Sequence, residues 1–187
     1  MAAEDKERLL IDATRNGNLT LARLLIEVGT FISPTSAYGF TPLHWAATKG
    51  YIDLAVLLLD AGAELEKTDW YGFTPLNRAA WNGHLDVCKL LISRGANLET
   101  FNIKYHTPLH GAAMQGYLKV VQLLVEHGAN VTATDSFGRT ALQEAIVNRR
   151  NLVADWLSRY ERLQVDRRAR SVTFEEGLSR FIYEHVL

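Results

Sequence analysis

The sequence has little that would support a secreted, membrane-spanning or disulfide-braced protein. It contains one cysteine, Cys88, so no disulfide can form within the chain. No apolar run approaches the roughly 20 residues that a helix needs to cross a bilayer. Residues 1–8 are rich in charged side chains, so we expect no secretory signal. These absences lead us to expect a protein of a reducing compartment: the cytoplasm, with the nucleus as the alternative.

Excess charge and catalytic motifs are also missing. The 20 basic and 21 acidic residues give a net charge of −1, which offers no reason to expect general nucleic-acid binding. There is no glycine-rich phosphate loop, no H-E-x-x-H, no pair of C-x-x-C knuckles and no G-x-S-x-G. The six histidines are scattered or fall at repeating structural positions. We therefore expect no enzyme activity, no cofactor and no metal site.

What the sequence does contain is a fixed period. Related tetrapeptides begin at Thr41, Thr74, Thr107 and Thr140 (TPLH, TPLN, TPLH and TALQ), and each start lies 33 residues after the one before. Glycines and a Leu-Leu pair recur in phase with the first three. A constant period of this size indicates a stack of similar supersecondary units. The recurring glycines are Gly50, Gly83 and Gly116, followed by Gly62, Gly95 and Gly128.

Worn copies of the unit flank the regular ones, as is typical of terminal repeats whose outer faces meet water. In the last copy Arg149 and Glu161 stand where the two glycines would be. We therefore predict one domain, residues 1–168, followed by a separate segment, residues 169–187. The domain holds about five units, near residues 4–36, 37–69, 70–102, 103–135 and 136–168.

Each unit reads as a helix, a turn, a second helix and a polar loop. The threonine is suited to cap the first helix and the proline to its first position. His44 and His110 fall at the third helical position, where a polar side chain can complete a capping box. The glycines stop each helix in the left-handed conformation. Cys88 falls on the apolar side of a second helix, so we predict a buried structural thiol.

The segment from residue 69 to residue 84, DWYGFTPLNRAAWNGH, resembles the ankyrin repeat. The resemblance implies an all-α solenoid of stacked helix-turn-helix units joined by β-hairpin-like loops, with a C-terminal helix. It covers about nine-tenths of the chain. Asn77 and Gln143 replace the usual histidine, and Tyr105 replaces the hairpin glycine. Ser36 and Asn102 replace the hairpin aspartate, and we expect the hairpins with these substitutions to be less regular.

The resemblance also implies where a partner binds. In ankyrin folds the hairpin tips and the inner side of the first helix form a concave face that contacts other proteins. Transferred by register, this face predicts a partner-binding surface with its aromatic centre in the third unit. Its residues are Tyr38, Phe40, Trp70, Tyr71, Phe73, Trp81, Lys104, His106, Met114, Phe137 and Arg139.

Some of these aromatic residues have an alternative interpretation. Phe40 and Phe73 are equally well explained as packing between adjacent hairpins, and Trp81 as packing against a neighbouring helix. Trp45 directly follows a tetrapeptide, so we predict that it belongs to the core. Trp70 and Tyr71 favour the binding interpretation, because a hairpin tip has little to bury against.

The segment 169–187 carries its own signal. Thr173 and Glu176 form a capping-box pattern, and apolar residues after them recur at helical spacing. This predicted amphipathic helix either covers the last repeat or docks on a partner. It resembles only in outline the adaptor-binding helix of a SOCS box, with Phe174 for the usual leucine and Leu178 for the usual cysteine.

Together these patterns predict a non-catalytic protein–protein interaction module: a scaffold, an adaptor or a subunit of a larger complex. The alternative is a targeting or regulatory subunit of an enzyme such as a ubiquitin ligase, recruited through the C-terminal helix. The two hypotheses differ in the surface that binds, which is the concave face in the first and the segment 169–187 in the second.

Overall fold

The computed structural model describes residues 2–165, and within them every regular element is helical. This confirms the all-α class and the succession of helix pairs. The segment predicted as a C-terminal helix, residues 169–187, lies outside the described residues. The α-helices are α1 Ala3–Arg15, α2 Leu19–Glu27, α3 Pro42–Lys49, α4 Ile52–Asp60, α5 Pro75–Trp81, α6 Leu85–Ser93, α7 Pro108–Gln115, α8 Leu118–Glu126, α9 Ala141–Val147 and α10 at 151–165.

The first helix of each regular unit begins at the predicted threonine. The hydroxyl of Thr41 accepts the backbone N–H of His44, and His44 Nδ1 lies 3.2 Å from the backbone nitrogen of Thr41, which donates to it. Asn77 completes the equivalent capping box in the third unit, because its Oδ1 accepts the backbone N–H of Thr74 at 2.9 Å. The capping box therefore survives where the histidine is replaced.

The histidines of the capping boxes also join one unit to the next. His44 Nε2 lies 2.9 Å from the carbonyl oxygen of Phe73, and His110 Nε2 lies 3.1 Å from that of Arg139. Burial lowers the pKa of both imidazoles, which are therefore neutral near pH 7. The prediction of a structural role for these two residues is confirmed.

The core runs the length of the stack between the two layers of helices. The first helices contact one another in succession, α1 to α3 to α5 to α7 to α9, and each of α1, α3, α5 and α7 packs on the second helix of its own unit. Cys88 is fully buried in this core, and burial raises the pKa of its thiol to about 12, as expected of a structural cysteine. Among the described residues, no helix is both long enough and apolar enough to span a bilayer.

Glycines with positive φ end the helices, and two of them differ in what surrounds them. Gly83 has φ 76° and Gly95 has φ 88°. A Cβ atom at Gly83 would lie 2.6 Å from the Tyr117 ring of the next unit, whereas one at Gly95 would meet nothing within 4 Å. Arg149 adopts φ 57° where the worn last unit lacks the glycine.

This difference predicts unequal costs for the same substitution. Gly95→Ala should lower the free energy of unfolding by about 1–2 kcal/mol, from backbone strain alone. Gly83→Ala should cost at least about 1 kcal/mol more, because the Tyr117 ring must also move. Urea denaturation of the two variants measures both values. Equal losses would contradict the steric role assigned to Tyr117.

The hairpin at Asn102 is as regular as the one at Asp69, so the expectation of a less regular loop there is wrong. Asp69 Oδ1 accepts the backbone N–H groups two and four residues later, at 2.8 and 3.1 Å. Asn102 Oδ1 accepts the equivalent pair at 2.8 and 3.1 Å. An amide oxygen replaces a carboxylate oxygen in this task because both bonds use a single acceptor atom.

The other hairpin substitutions have separate outcomes. Tyr105 takes the left-handed conformation of the missing glycine, with φ 59°. At Ser36 the loop does differ from the others: the short hydroxyl lies 3.1 Å from the carbonyl oxygen of Phe40, to which it donates. The loop contains a turn of 3₁₀ helix, Ala37–Gly39, in which Tyr38 has φ 69°.

Candidate functional site

Backbone hydrogen bonds hold the four hairpin tips side by side. Each bond runs from an N–H at one tip to a carbonyl at the tip of the preceding unit, and each is 3.0 Å long. The tips, with the neighbouring surfaces of α3, α5, α7 and α9, form the surface called here the concave face. The bonded pairs are Trp70 to Tyr38, Ile103 to Tyr71, and Ser136 to Lys104.

Three of the predicted aromatic residues form one exposed cluster across the second and third units. The Tyr38 and Trp70 rings lie 5.9 Å apart in an edge-to-face arrangement, and the Tyr38 and Tyr71 rings stack at 6.4 Å. Their exposed fractions are 57% for Tyr38, 71% for Trp70 and 44% for Tyr71. This tip cluster is a contiguous apolar surface with no cover from the described residues, and such patches are typical of interaction sites.

Phe40 and Phe73 lie below the tip cluster and are half-buried. The guanidinium of Arg78 sits over both rings, 4.6 Å from the centre of Phe40 and 4.1 Å from that of Phe73. Arg78 in turn forms an ion pair with the buried carboxylate of Asp69. These two phenylalanines therefore pack within the joint between units, and each presents only part of its ring outward.

Between the hairpins of the third and fourth units lies a small pocket of about 270 Å³, called here the Trp81 pocket. The Phe73 and Trp81 rings meet at 89° with centres 5.8 Å apart and form one corner of it. Six of the predicted residues line this pocket together with Asn102 and Ile103. The six are Tyr71, Phe73, Trp81, Lys104, His106 and Met114.

The prediction that His106 contacts a partner directly requires an exposed side chain, and His106 is not exposed. Its side chain is buried, with 4% exposed, and its ring stacks on Trp81 with centres 6.3 Å apart. The residue therefore lines the Trp81 pocket as a buried side chain. Burial lowers the pKa of His106, so a neutral imidazole lies there near pH 7. Its place follows from stacking between units, which the sequence of one unit does not reveal.

Beneath His106 is a charged network between the fourth and fifth units. His106, Asp135 and Glu144 offer ligand atoms within 4.8 Å of one another, a grouping that could suit a metal ion. The guanidinium of Arg139, however, lies 2.8 Å from a carboxylate oxygen of Glu144 and 3.4 Å from one of Asp135. Because Arg139 already supplies the positive charge between the two carboxylates, the arrangement is that of an ion-pair network.

The pKa values of the two carboxylates in this network are shifted in opposite directions. Burial disfavours the charge of Asp135, yet the backbone N–H groups of Arg139 and Phe137 outweigh it and hold its pKa at about 2. Burial and the neighbouring Asp135 carboxylate raise the pKa of Glu144. Arg139 is thus engaged with these carboxylates and only partly exposed, whereas Phe137 is 70% exposed and has the Arg139 guanidinium over its ring at 4.8 Å.

Trp45 is half-buried, so it is not the fully buried core residue that the sequence predicted, nor is it fully exposed. Its ring packs against Phe40 with centres 4.9 Å apart, and the guanidinium of Arg15 lies 5.9 Å from its centre. It lines a broad, open groove against α1 at the N-terminal end of the stack.

A family model described as ankyrin repeats (3 copies) matches residues 10–102 and 98–168 of the chain. The matched residues include all five units except the start of the first, and they include every residue of the tip cluster and the Trp81 pocket. No curated protein matches the chain.

Proposed function

This chain belongs to the ankyrin-repeat family, and from that premise we propose that it binds a partner protein through its concave face without catalysing a reaction. Ankyrin repeats are generally protein–protein interaction modules. In this role the chain is a scaffold, an adaptor or a subunit of a larger complex in the cytoplasm or nucleus. The observation that carries the proposal is the exposed tip cluster of Tyr38, Trp70 and Tyr71.

Burial of this cluster by a partner would remove a large apolar area from water. Each buried aromatic side chain contributes much of its binding free energy in this way, and the rings here are already held by neighbours. The tip-to-tip hydrogen bonds of 3.0 Å fix the backbone beneath them, so little ordering remains to oppose binding. Aromatic residues at the centre of a patch are the side chains that most often dominate an interface.

The test is affinity capture from native lysate with three versions of the full chain. We expect the wild type to retain a partner that Trp70→Ala/Tyr71→Ala loses, with an affinity decrease of about 30-fold, or roughly 2 kcal/mol. Leu152→Ala is the matched control, because Leu152 is 74% exposed but belongs to α10, away from the tips. Circular dichroism should show all three to be equally folded.

A partner retained equally by all three proteins would contradict the role of the concave face. Capture should then be repeated after removal of residues 169–187, the segment whose predicted helix supports the second candidate, a targeting or regulatory subunit of an enzyme such as a ubiquitin ligase. Loss of the partner on that deletion alone would favour the second candidate.

A further inference from the structure

We propose that the Trp81 pocket takes one bulky apolar side chain, leucine or phenylalanine, from an acidic linear peptide of the partner. Lys104 at the rim then pairs with an aspartate or glutamate next to that side chain. The inference rests on the proposed function, since it names the chemistry of the partner at the same face.

The size of the pocket suits one side chain. Its volume of about 270 Å³ is below the roughly 300–1,000 Å³ of sites that hold drug-sized ligands. Phe73 and Trp81 supply two rigid aromatic walls at 89° to each other. Met114 supplies a flexible wall that can adapt to the shape of the group that enters. Ile103, which is 66% exposed, extends the apolar surface to the rim.

The interior of the pocket offers no free charge to a ligand. The lining residue His106 is buried and neutral near pH 7. The side-chain oxygen of Asn102 already accepts two backbone N–H groups of its own hairpin, at 2.8 and 3.1 Å. A charged group would lose its hydration on entry without gaining a charged partner, so the pocket selects an apolar side chain.

The hairpins and first helices of units two to five, which include the pocket, expose charge of one sign. In the hairpins and first helices of units two to five, residues 35–50, 68–83, 101–116 and 134–149, there are three carboxylates. All three are buried, and each forms an ion pair with Arg78 or Arg139. The exposed charged side chains in the same stretches are Lys49, Lys104 and Arg149.

These four stretches therefore expose only positive charge, although the net charge of the chain is −1. Carboxylates of α1, among them Glu4, Glu7 and Asp12, lie at the N-terminal end of the stack, where they line a groove with Tyr38. An acidic peptide is attracted to the exposed basic side chains of units two to five, whereas a basic peptide meets like charge there without an exposed carboxylate in the same stretches. The same charges argue against a quaternary ammonium group in the aromatic corner. Arg78 already covers the Phe73 ring at 4.1 Å, and Lys104 stands at the rim.

Random peptides of about 12 residues displayed on phage are the probe, selected against the full wild-type chain. We expect the enriched peptides to combine net negative charge with one leucine or phenylalanine. Their affinity should fall about tenfold in Lys104→Glu and by a similar factor in Ile103→Ser. Both residues are exposed, so neither variant should unfold the protein. Affinity should also fall as salt rises.

Lys119→Glu is the matched control, because it makes the same change of charge at an exposed position of α8. It should bind the enriched peptides as the wild type does. If Lys104→Glu and Lys119→Glu weaken peptide binding equally, the effect comes from the net charge of the protein, and the role assigned to Lys104 is overturned.

Two further outcomes would overturn the inference and leave the proposed function intact. In the first, the enriched peptides bind Trp70→Ala more weakly than the wild type, which places them on the concave face, but they are not acidic or they bind Ile103→Ser as well as the wild type. The second is no enrichment at all, while a lysate partner is still lost in Trp70→Ala/Tyr71→Ala; the concave face would then bind a folded surface. If no peptides are enriched and no lysate partner depends on Trp70 and Tyr71, the proposed function itself is contradicted.

Discussion

Asp69→Ala is expected to lower the free energy of unfolding by about 3–5 kcal/mol, the cost of breaking a buried ion pair by removing one partner. Asp69 is buried, with 4% exposed, and its two oxygens have separate tasks. Oδ1 accepts two backbone N–H groups of the hairpin, and Oδ2 accepts Arg78 Nε at 2.8 Å. Alanine leaves both N–H groups and the guanidinium without their acceptor. Urea denaturation measures the loss.

Asp69→Asn separates the two tasks. The fourth unit shows that asparagine supports the hairpin, since Asn102 accepts the equivalent N–H groups. There the position of Arg78 is filled by Gly111, so no guanidinium requires a carboxylate. We expect Asp69→Asn to cost less than Asp69→Ala, and its effect to couple with that of Arg78→Ala by about 1 kcal/mol or more. Additive effects in this double-mutant cycle would contradict the ion-pair argument.

Mild acid is expected to destabilise the protein through three buried histidines. Burial is the main cause that lowers the pKa of His44, His106 and His110. In the unfolded chain a histidine titrates near pH 6.5. Below that value the unfolded chain binds protons that the folded chain does not, so the free energy of unfolding falls as pH falls. Well above about pH 6.5 these histidines are neutral in both states and contribute no pH dependence.

The effect is large because the three contributions share a sign. Each such histidine gives a slope of up to about 1.4 kcal/mol per pH unit over the range in which only the unfolded form is protonated. Glu144 acts in the opposite sense: burial raises its pKa, so the folded chain takes up that proton first as pH falls. The histidine contribution is therefore best measured as a difference between the wild type and a variant.

His44→Asn and His110→Asn provide that difference. Asparagine is suited to the position, because Asn77 completes the same capping box in the third unit. Urea denaturation at about pH 7.5 and about pH 5.5 should show a smaller loss of stability in each variant than in the wild type. The same pH dependence in all three proteins would show that neither histidine is responsible.

The sequence was sufficient to predict the helix pairs, their caps and the buried Cys88. These features depend on residues close together in the chain, such as Thr41 with His44, and each regular unit repeats them at the same spacing. The period indicated which surfaces lie on the same side of the stack. It therefore also indicated that Trp70 and Tyr71 occupy a hairpin tip, which agrees with their exposure of 71% and 44%.

The site itself was less predictable. The sequence left Phe40 and Phe73 with two interpretations, and the structure shows both rings packed beneath Arg78. His106 was predicted as a surface contact, but Trp81 of the preceding unit stacks on it and buries it. In each case the deciding neighbour belongs to another hairpin or helix, at a position where the units differ from one another.

By itself, then, the sequence determined the solenoid of helix pairs and the row of hairpin tips, because recurring local interactions fix both within each unit. Only the tertiary structure decided which side chains meet at the joints between units. It buried Asp69, Asp135 and Glu144 in ion pairs, left Lys104 exposed and formed the Trp81 pocket from two hairpins and two helices. These contacts join side chains that vary from unit to unit, so the period carries no information about them.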